Sequence, residues 1–266
     1  MNNICPACGG ECVPTGKGAG YTVYRCTCCD NEYRVSEGQP FPVYHTVRRA
    51  AQTAETAESV PSAREEPREL NGEQIYSRCI NSVLEVRARR GNKIFSGSAC
   101  VLNGGYAVTN AHVVAEGGRR ADRIELYGCG SKFFGVIVAL GSDFEGGEDL
   151  ALLKFSGAPS AVAPVRFADV SLIKNGQPLY VIGNSLGGGT CITAGIVSDR
   201  RRMLDGKPRL MTDCAVNRGN SGGPVFNAWG EVAGTIVAVT TAAEGMNYAI
   251  PADIVIKFIN RCGIDA

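Results

Sequence analysis

The sequence predicts a mostly β protein, and two features of residues 72–266 carry that prediction. Short runs rich in β-branched side chains alternate there with turns that contain Gly, Asn, Asp or Pro. The chain also holds 34 glycines among its 266 residues, which suits many tight turns. Many short strands separated by turn signals are typical of a barrel or a sandwich, and both architectures stay open at this point.

Residues 1–36 are rich in Cys and Gly and predict a small metal-binding domain. Two C-x₂-C pairs, one at Cys5 and Cys8 and one at Cys26 and Cys29, have the spacing of a four-thiolate zinc site. So short a segment has little core, and a structural Zn²⁺ would therefore supply its folding free energy. The pattern resembles a zinc ribbon. Disulfides and unligated thiols are the alternatives, and Cys28 is an alternative ligand to Cys26 or Cys29.

Residues 37–71 predict a flexible linker. This stretch is rich in Ala, Glu, Pro and Thr, and it has few large apolar residues after Val47. Such a composition buries too little apolar surface to offset the entropy of ordering the chain. The domain division predicted from composition is therefore 1–36, 37–71 and 72–266.

The predicted strands then follow one another along the third segment. They are CINSVLEVRA, SACVLN, YAVTN, DRIELYG, KFFGVIVAL, LALLKF, QPLYVIG, TCITAGIVS, RLMTDCAV, GPVFN, EVAGTIVAV and MNYAIP. The segment SDRRRMLDGKPRL (residues 198–210), between two of these strands, is strongly cationic. It is interpreted either as a solvated hairpin loop or as a loop that senses an acidic partner or the ribbon. The tail PADIVIKFINRC predicts a helix, because Pro251 suits a first turn and the apolar residues after it share one face.

The composition and net charge of the chain indicate which binding partners and which cellular location to expect. The formal net charge is +1, which favours neither nucleic acid nor an anionic membrane as a partner. No run approaches the length of a membrane-spanning helix. The first ten residues lack the basic and apolar regions of a signal peptide, and the expected location is therefore cytoplasmic.

The stretch RGNSGGPVFN surrounds one serine, Ser221, with three glycines and raises the question of a nucleophile. A serine needs an imidazole to accept its proton, and the imidazole needs an acceptor on its other nitrogen. His112, in YAVTNAHVVA, is the candidate base, and Asp149, before an apolar strand, is the candidate acid. Glu148 and Asp143 are rival acids, read as solvated loop residues. The order His, Asp, Ser is one of the known chain orders of such a triad.

Taken together, TNAHVV, EDLALLKF, YVIGNSLGGGTCITAGIVS, TDCAVNRGNSGGPVFN and NYAIP resemble the trypsin-like serine proteases of the HtrA/Deg group. The resemblance covers residues 75–262. It implies an all-β fold of two six-stranded antiparallel barrels, with His112 and Asp149 on the first and Ser221 on the second. With the C-terminal helix and the N-terminal zinc ribbon, this is the expected fold of the whole chain.

The resemblance also implies roles for the residues around the serine. The N–H groups of Gly219 and Ser221 are the expected oxyanion donors, and Gly222 and Gly223 would let a substrate backbone approach. Asn220 stands where chymotrypsin-like digestive enzymes have an Asp, and so it cannot form their buried ion pair. Alignment to the family places Ala215, Thr235 and Val237 at the specificity pocket, which implies cleavage after small or aliphatic residues.

The expected function is a serine endopeptidase that acts on proteins or peptides through an acyl-enzyme, with the ribbon recruiting a protein partner. The alternative is a catalytically idle or gated protein that holds peptides in its cleft and docks partners through the ribbon. The sequence leaves the oligomeric state open.

Overall fold

The computed structural model describes residues 11–27, 32–36, 44–46, 69–239 and 246–265. The chain divides into two compact units, residues 1–63 and residues 64–266. No helix in the described ranges is long and apolar enough to cross a membrane.

The first unit contains a four-stranded antiparallel sheet in the order β1-β2-β3-β4. At the open end of the β1–β2 hairpin, the N–H and the hydroxyl of Thr27 both donate to the carbonyl of Glu11 at 3.0 Å. The last strand lies inside the stretch predicted to be a linker, and the domain boundary at residue 36 stays a prediction. The strands are β1 (Cys12–Gly18), β2 (Tyr21–Cys26), β3 (Glu32–Ser36) and β4 (Tyr44–Thr46).

The second unit begins with a helix, α1 (Gly72–Cys79), and then forms a closed barrel in the order β10-β11-β12-β7-β6-β5. Asn71 starts the helix with a capping box, in which it exchanges side-chain-to-backbone hydrogen bonds with Gln74. The elements of this barrel and its connections are β5 (Val83–Arg90), β6 (Lys93–Leu102), β7 (Tyr106–Thr109), α2 (Ala111–Val114), β8 (Ala115–Glu116), β9 (Arg119–Arg120), β10 (Arg123–Gly128), β11 (Ser131–Leu140) and β12 (Ala151–Ser156).

A second closed barrel follows in the order β13-β14-β15-β18-β17-β16. A helix is the last element of the chain. The prediction of two six-stranded antiparallel barrels and a terminal helix is confirmed. Its elements are β13 (Pro178–Gly183), β14 (Cys191–Leu204), β15 (Lys207–Thr212), β16 (Pro224–Asn227), β17 (Val232–Val239), β18 (Asn247–Pro251) and α3 (Ala252–Arg261).

Three apolar clusters hold the second unit together. One fills the first barrel, another fills the second, and the third lies between them and takes up the apolar faces of α1 and α3. Since burying apolar surface is the main favourable term in folding, the third cluster fixes how the two barrels meet. Fully buried members of the third cluster include Ile75, Ile182, Ile250, Val255 and Ile259.

The cationic stretch 198–210 is a strand ribbon rather than a loop. β14 runs to Leu204 and β15 starts at Lys207, and the turn between them is only Asp205–Gly206. The helix α1 also departs from expectation, because residues 79–82 were predicted to be strand and instead end the helix and form a 3₁₀ turn. Strand propensity was overridden there by the capping box and by burial of Ile75 and Cys79.

Candidate active site

His112 lies on the single helical turn α2, directly after β7 of the first barrel. Asn110 precedes that turn and is fully buried, and its side-chain amide donates to the backbone carbonyl of Asp149 at 2.8 Å. The segment that carries the histidine is thereby tied to the residue that carries the acid.

Asp149 uses both carboxylate oxygens on His112. Oδ2 lies 2.5 Å from the imidazole Nδ1, and Oδ1 accepts the backbone N–H of His112 at 2.9 Å. A carboxylate only accepts, so Nδ1 carries the proton and Nε2 of the neutral ring is left as an acceptor. The side chains of His112 and Asp149 are half exposed and one-third exposed, respectively.

The rival acids have structural contacts instead. Glu148 was expected to be solvated, but its side chain is only 11% exposed and accepts a hydrogen bond from Arg209 of the second barrel at 2.7 Å. Asp143 accepts the N–H of Leu140 at 2.8 Å and thus caps a 3₁₀ turn. Neither contacts His112, and Asp149 is the carboxylate on the imidazole.

Ser221 lies in the turn that precedes β16 of the second barrel and faces the same cavity as His112. The cavity has a volume of about 560 Å³. Its wall also includes Phe95 and Val113 from the first barrel and Leu186 and Gly219 from the second. Among the described residues, the Ser221 hydroxyl makes no hydrogen bond, and so it is available to a reacting group.

Among the described residues, the backbone N–H groups of Gly219 and Ser221 have no acceptor. The carbonyl of Arg218 accepts from the N–H of Leu186 at 2.7 Å, and the carbonyl of Asn220 accepts from the N–H of Gly223 at 2.9 Å. In a trans peptide the N–H points opposite to the carbonyl. The two N–H groups therefore point away from those hydrogen bonds.

Two glycines of the turn have backbone angles or neighbours that exclude a side chain. Gly219 has φ of 100° and Gly222 has φ of 81°, in the left-handed region that other residues rarely adopt. A Cβ on Gly222 would collide with Thr109 and with the carbonyl of Ser98, both in the first barrel. Gly222 thus accommodates the neighbouring barrel rather than a substrate backbone.

The residues expected at the specificity pocket do not line this cavity. Thr235 is fully buried, Val237 is partly buried, and the carbonyl of Ala215 accepts a hydrogen bond from Thr193. Residues 240–245, directly after β17, lie outside the described residues. Burial raises the pKa of the neighbouring Cys214 to about 11, so this thiol stays protonated and is a poor nucleophile.

The zinc prediction falls mostly outside the described residues. That holds for Cys5, Cys8 and Cys29, and for the side chain of Cys26. Within the described ranges, no group of three or more His, Cys, Asp or Glu side chains could hold a metal ion.

The comparisons with known proteins agree with this fold. Residues 97–234, more than half of the chain, match the model of the trypsin-like peptidase domain. The chain belongs to the trypsin-like peptidase domain family. The matched segment contains His112, Asp149 and Ser221.

Bacterial proteins are among the relatives of this trypsin-like peptidase domain protein. A probable periplasmic serine endoprotease DegP-like of Pseudomonas putida is 35% identical over 185 residues, which are 66% of this chain and 36% of that protein. The protein of the same description from Rhizobium meliloti is 37% identical over 160 residues, 58% of this chain and 30% of its own. The chain thus spans about a third of the length of these relatives.

Solved structures give the same result. The HtrA-type protease AlgW with tripeptide aligns with a TM-score of 0.62 and 28% identity, over 71% of this chain and 64% of that one. The serine endoprotease from Yersinia pestis aligns with a TM-score of 0.61 and 26% identity, over 77% of this chain and 68% of that one.

The expectation of a cytoplasmic location is wrong, because the relatives from Pseudomonas putida, Rhizobium meliloti and Hahella chejuensis are named periplasmic. That expectation depended on the composition of the first ten residues. Their composition has no bearing on the folded domain that the relatives share with this chain.

Three residues near the site had no distinguishing signal in the sequence: Ser98, Asn110 and Leu186. Each acts through a main-chain or buried hydrogen bond to a residue more than 30 positions away. Serine, asparagine and leucine are common, and only the packing of the two barrels brings these residues to the site.

Proposed function

We propose that this chain is a serine endopeptidase that cleaves peptide bonds through an acyl-enzyme, with Ser221 as nucleophile, His112 as base and Asp149 as the acid that orients the base. One observation carries the proposal: Asp149 holds Nδ1 of an imidazole that shares a cavity with an unbonded serine hydroxyl. A histidine protonated at Nδ1 presents a basic Nε2, which is the group that serine activation needs.

The chemistry proceeds in two halves. Ser221 Oγ attacks the substrate carbonyl while its proton moves to His112 Nε2, and the Asp149 carboxylate stabilises the imidazolium. The C–N bond then breaks, and the proton on Nε2 passes to the leaving amine. Water enters, gives a proton to His112 and attacks the ester carbon, and the proton returns to Ser221 as the acid product leaves.

The N–H groups of Gly219 and Ser221 are proposed to bind the oxyanion. Two carbonyls of the turn are already occupied by Leu186 and Gly223, which supports this role because the N–H groups of the same peptides then point the other way. Donors held before the reaction need no reorganisation when charge develops on the substrate oxygen.

For specificity, we propose cleavage after small or aliphatic residues. The three residues aligned to the pocket, Ala215, Thr235 and Val237, are uncharged, and so none could pair with a Lys or Arg side chain. A digest of a peptide library tests this directly, and dominant cleavage after Lys or Arg would contradict it.

A zinc site in the first unit is proposed as the structural metal, with Cys5, Cys8, Cys26 and Cys29 as ligands and a protein partner as the expected contact of the ribbon. The contact of Thr27 with Glu11 at the end of the β1–β2 hairpin supports it. In the sequence, Cys5 and Cys8 precede Glu11, and Cys26 and Cys29 flank Thr27. The metal would only hold these strands and has no step in catalysis.

The test of the activity compares the native chain with Ser221→Ala. We expect the native chain to hydrolyse casein or a peptide library and to be labelled at Ser221 by a fluorophosphonate. Loss of the nucleophile should reduce turnover by about 10⁶-fold. Peptide binding without turnover or labelling would contradict the proposal and favour the peptide-holding alternative.

A further inference from the structure

Ser98 lies on β6 of the first barrel, against the turn of residues 217–223 that carries Ser221. It is fully buried, and all of its polar groups are engaged. Its N–H donates to the carbonyl of Ser221 at 2.8 Å, and its carbonyl accepts from the hydroxyl of Thr109 at 2.7 Å. Its own hydroxyl donates to the carbonyl of Gly219 at 2.7 Å and accepts the N–H of Asn184 at 3.0 Å.

Within the described part of the chain, no charged pair supports this turn. Asn220, the only buried polar side chain in it, is 1% exposed, and its Oδ1 has no hydrogen-bond partner among the described residues. The side-chain support of residues 217–223 therefore comes from outside the turn. Ser98 supplies it as a neutral hydroxyl.

We propose that Ser98 is a positioning residue that holds the oxyanion-binding conformation of the turn from the opposite barrel. This inference rests on the proposed function. Gly219 and Ser221 are the residues whose N–H groups are proposed to bind the oxyanion, and Ser98 holds each of them at its own carbonyl. One residue of the first barrel thus holds the peptide that follows each donor, and so fixes where both donor residues lie.

The surrounding glycines make this anchor rigid. A Cβ on Gly223 would lie 3.1 Å from the Ser98 Cβ, and one on Gly183 would lie 3.0 Å from its hydroxyl. Contacts this close leave the turn little room to shift while the hydroxyl remains bonded. Ser98→Ala removes the donor to Gly219 and the acceptor of Asn184, and it leaves the main-chain bond to Ser221 intact.

We expect Ser98→Ala to weaken the stabilisation of the transition state and to leave the binding of the substrate unchanged. The oxyanion donors bind the charged oxygen of the tetrahedral intermediate more strongly than the neutral carbonyl of the substrate. For Ser98→Ala we expect kcat to fall about 10- to 100-fold with KM unchanged, less than the 10²–10³ that losing a donor outright costs. Ser98→Cys, which keeps a weak donor of similar size, should fall between the native chain and Ser98→Ala.

The experiment measures kcat, KM and the rate of fluorophosphonate labelling for the native chain, Ser98→Ala and Ser98→Cys. Ser82→Ala is the matched control, because Ser82 is also buried but lies in a 3₁₀ turn before β5. Equal kcat and labelling rates in Ser98→Ala and the control would overturn the inference. A rise in KM at unchanged kcat would also overturn it.

Amide hydrogen exchange tests the positioning role of Ser98 independently of turnover. In Ser98→Ala, but not in Ser82→Ala, we expect faster exchange of the amide of Asn184 and of the amides in residues 217–223. If the native chain neither turns over nor labels, the proposed function fails while the exchange result still decides the role of Ser98. Unchanged exchange in that turn would overturn the role even in an active enzyme.

Discussion

At the scale of single residues, the site depends on a carboxylate that binds one histidine through both of its oxygens. Both oxygens of Asp149 serve one histidine, one at the ring and one at the main chain. Two separate donors thus fix the carboxylate, and the carboxylate in turn fixes both the position and the tautomer of the ring.

Asp149→Asn should therefore be more damaging than its small change in shape implies. The amide has one acceptor for two donors, so its NH₂ group must face either the ring Nδ1 or the main-chain N–H of His112. We expect kcat/KM to fall by about 10⁴-fold, as is typical when the triad acid becomes an amide. The measurement is steady-state kinetics with a peptide substrate.

Glu145→Gln is the matched control for that substitution, because Glu145 is an exposed acid of the same loop. We expect its kinetics to equal those of the native chain. A loss below tenfold in Asp149→Asn would show that another carboxylate orients His112.

At the scale of elements, the loop that carries Asp149 is held by a strand of the other barrel. Arg209 donates to Glu148 at 2.7 Å, and both side chains are about one-tenth exposed. Lys207 donates to the carbonyl of Gly147 at 2.7 Å and lies 3.7 Å from Glu148. The ribbon β14–β15, which the sequence marks only as cationic, thus holds the two residues directly before the acid of the proposed triad.

Breaking the ion pair between Arg209 and Glu148 should lower both the stability of the fold and the activity. Arg209→Gln leaves a largely buried carboxylate with a weaker partner, and we expect a loss of about 2 kcal/mol in the free energy of unfolding. We also expect kcat to fall, since Glu148 directly precedes Asp149. Denaturant unfolding of Arg209→Gln, Glu148→Gln and the double variant, beside their kinetics, measures the coupling.

Arg201→Gln provides the comparison on the same ribbon. Arg201 pairs with Asp253 at 3.2 Å, but its side chain is half exposed, and an exposed pair contributes below about 1 kcal/mol. Equal losses in Arg201→Gln and Arg209→Gln, or additive effects of the Glu148 and Arg209 substitutions, would rule out a specific coupling.

At the scale of the whole molecule, the 12 cysteines divide between the two compact units. Six lie in the first 29 residues, and six lie in the second unit, between Cys79 and Cys262. Burial raises the pKa of Cys79 to about 11 despite the nearby Arg78, and raises that of Cys214 to about 11. Both thiols stay protonated up to about pH 10 and are therefore poor nucleophiles.

Differential alkylation at pH 8 tests both this division and the proposed zinc site. With zinc bound, we expect Cys5, Cys8, Cys26 and Cys29 to resist modification, and a chelator should make them reactive. Cys79 and Cys214 should stay unmodified with and without the chelator. Mass spectrometry of digested protein reads each site.

A different pattern would contradict the metal site. Protection that a chelator leaves intact and a reductant removes would indicate disulfides, which the periplasmic names of the relatives make a relevant alternative. Stoichiometric zinc in the native protein, lost on substitution of Cys5 and Cys8 by Ser, is the independent measurement.

The sequence by itself determined the strands, the terminal helix and the residues proposed for the triad. Alternating apolar patterns, turn glycines and short motifs are local, and each can be read from a few neighbouring residues. His112, Asp149 and Ser221 were named in this way, although their catalytic roles stay predictions.

Only the tertiary structure decided which residues support those three. Ser98, Asn110 and Arg209 form hydrogen bonds with residues that lie 121, 39 and 61 positions away, respectively. No local sequence pattern predicts these pairings. The strand ribbon at residues 198–210 and the packing of Gly222 on the first barrel were likewise set by how the barrels meet. The physical reason is that contacts between distant segments depend on barrel closure and on the shared apolar cluster.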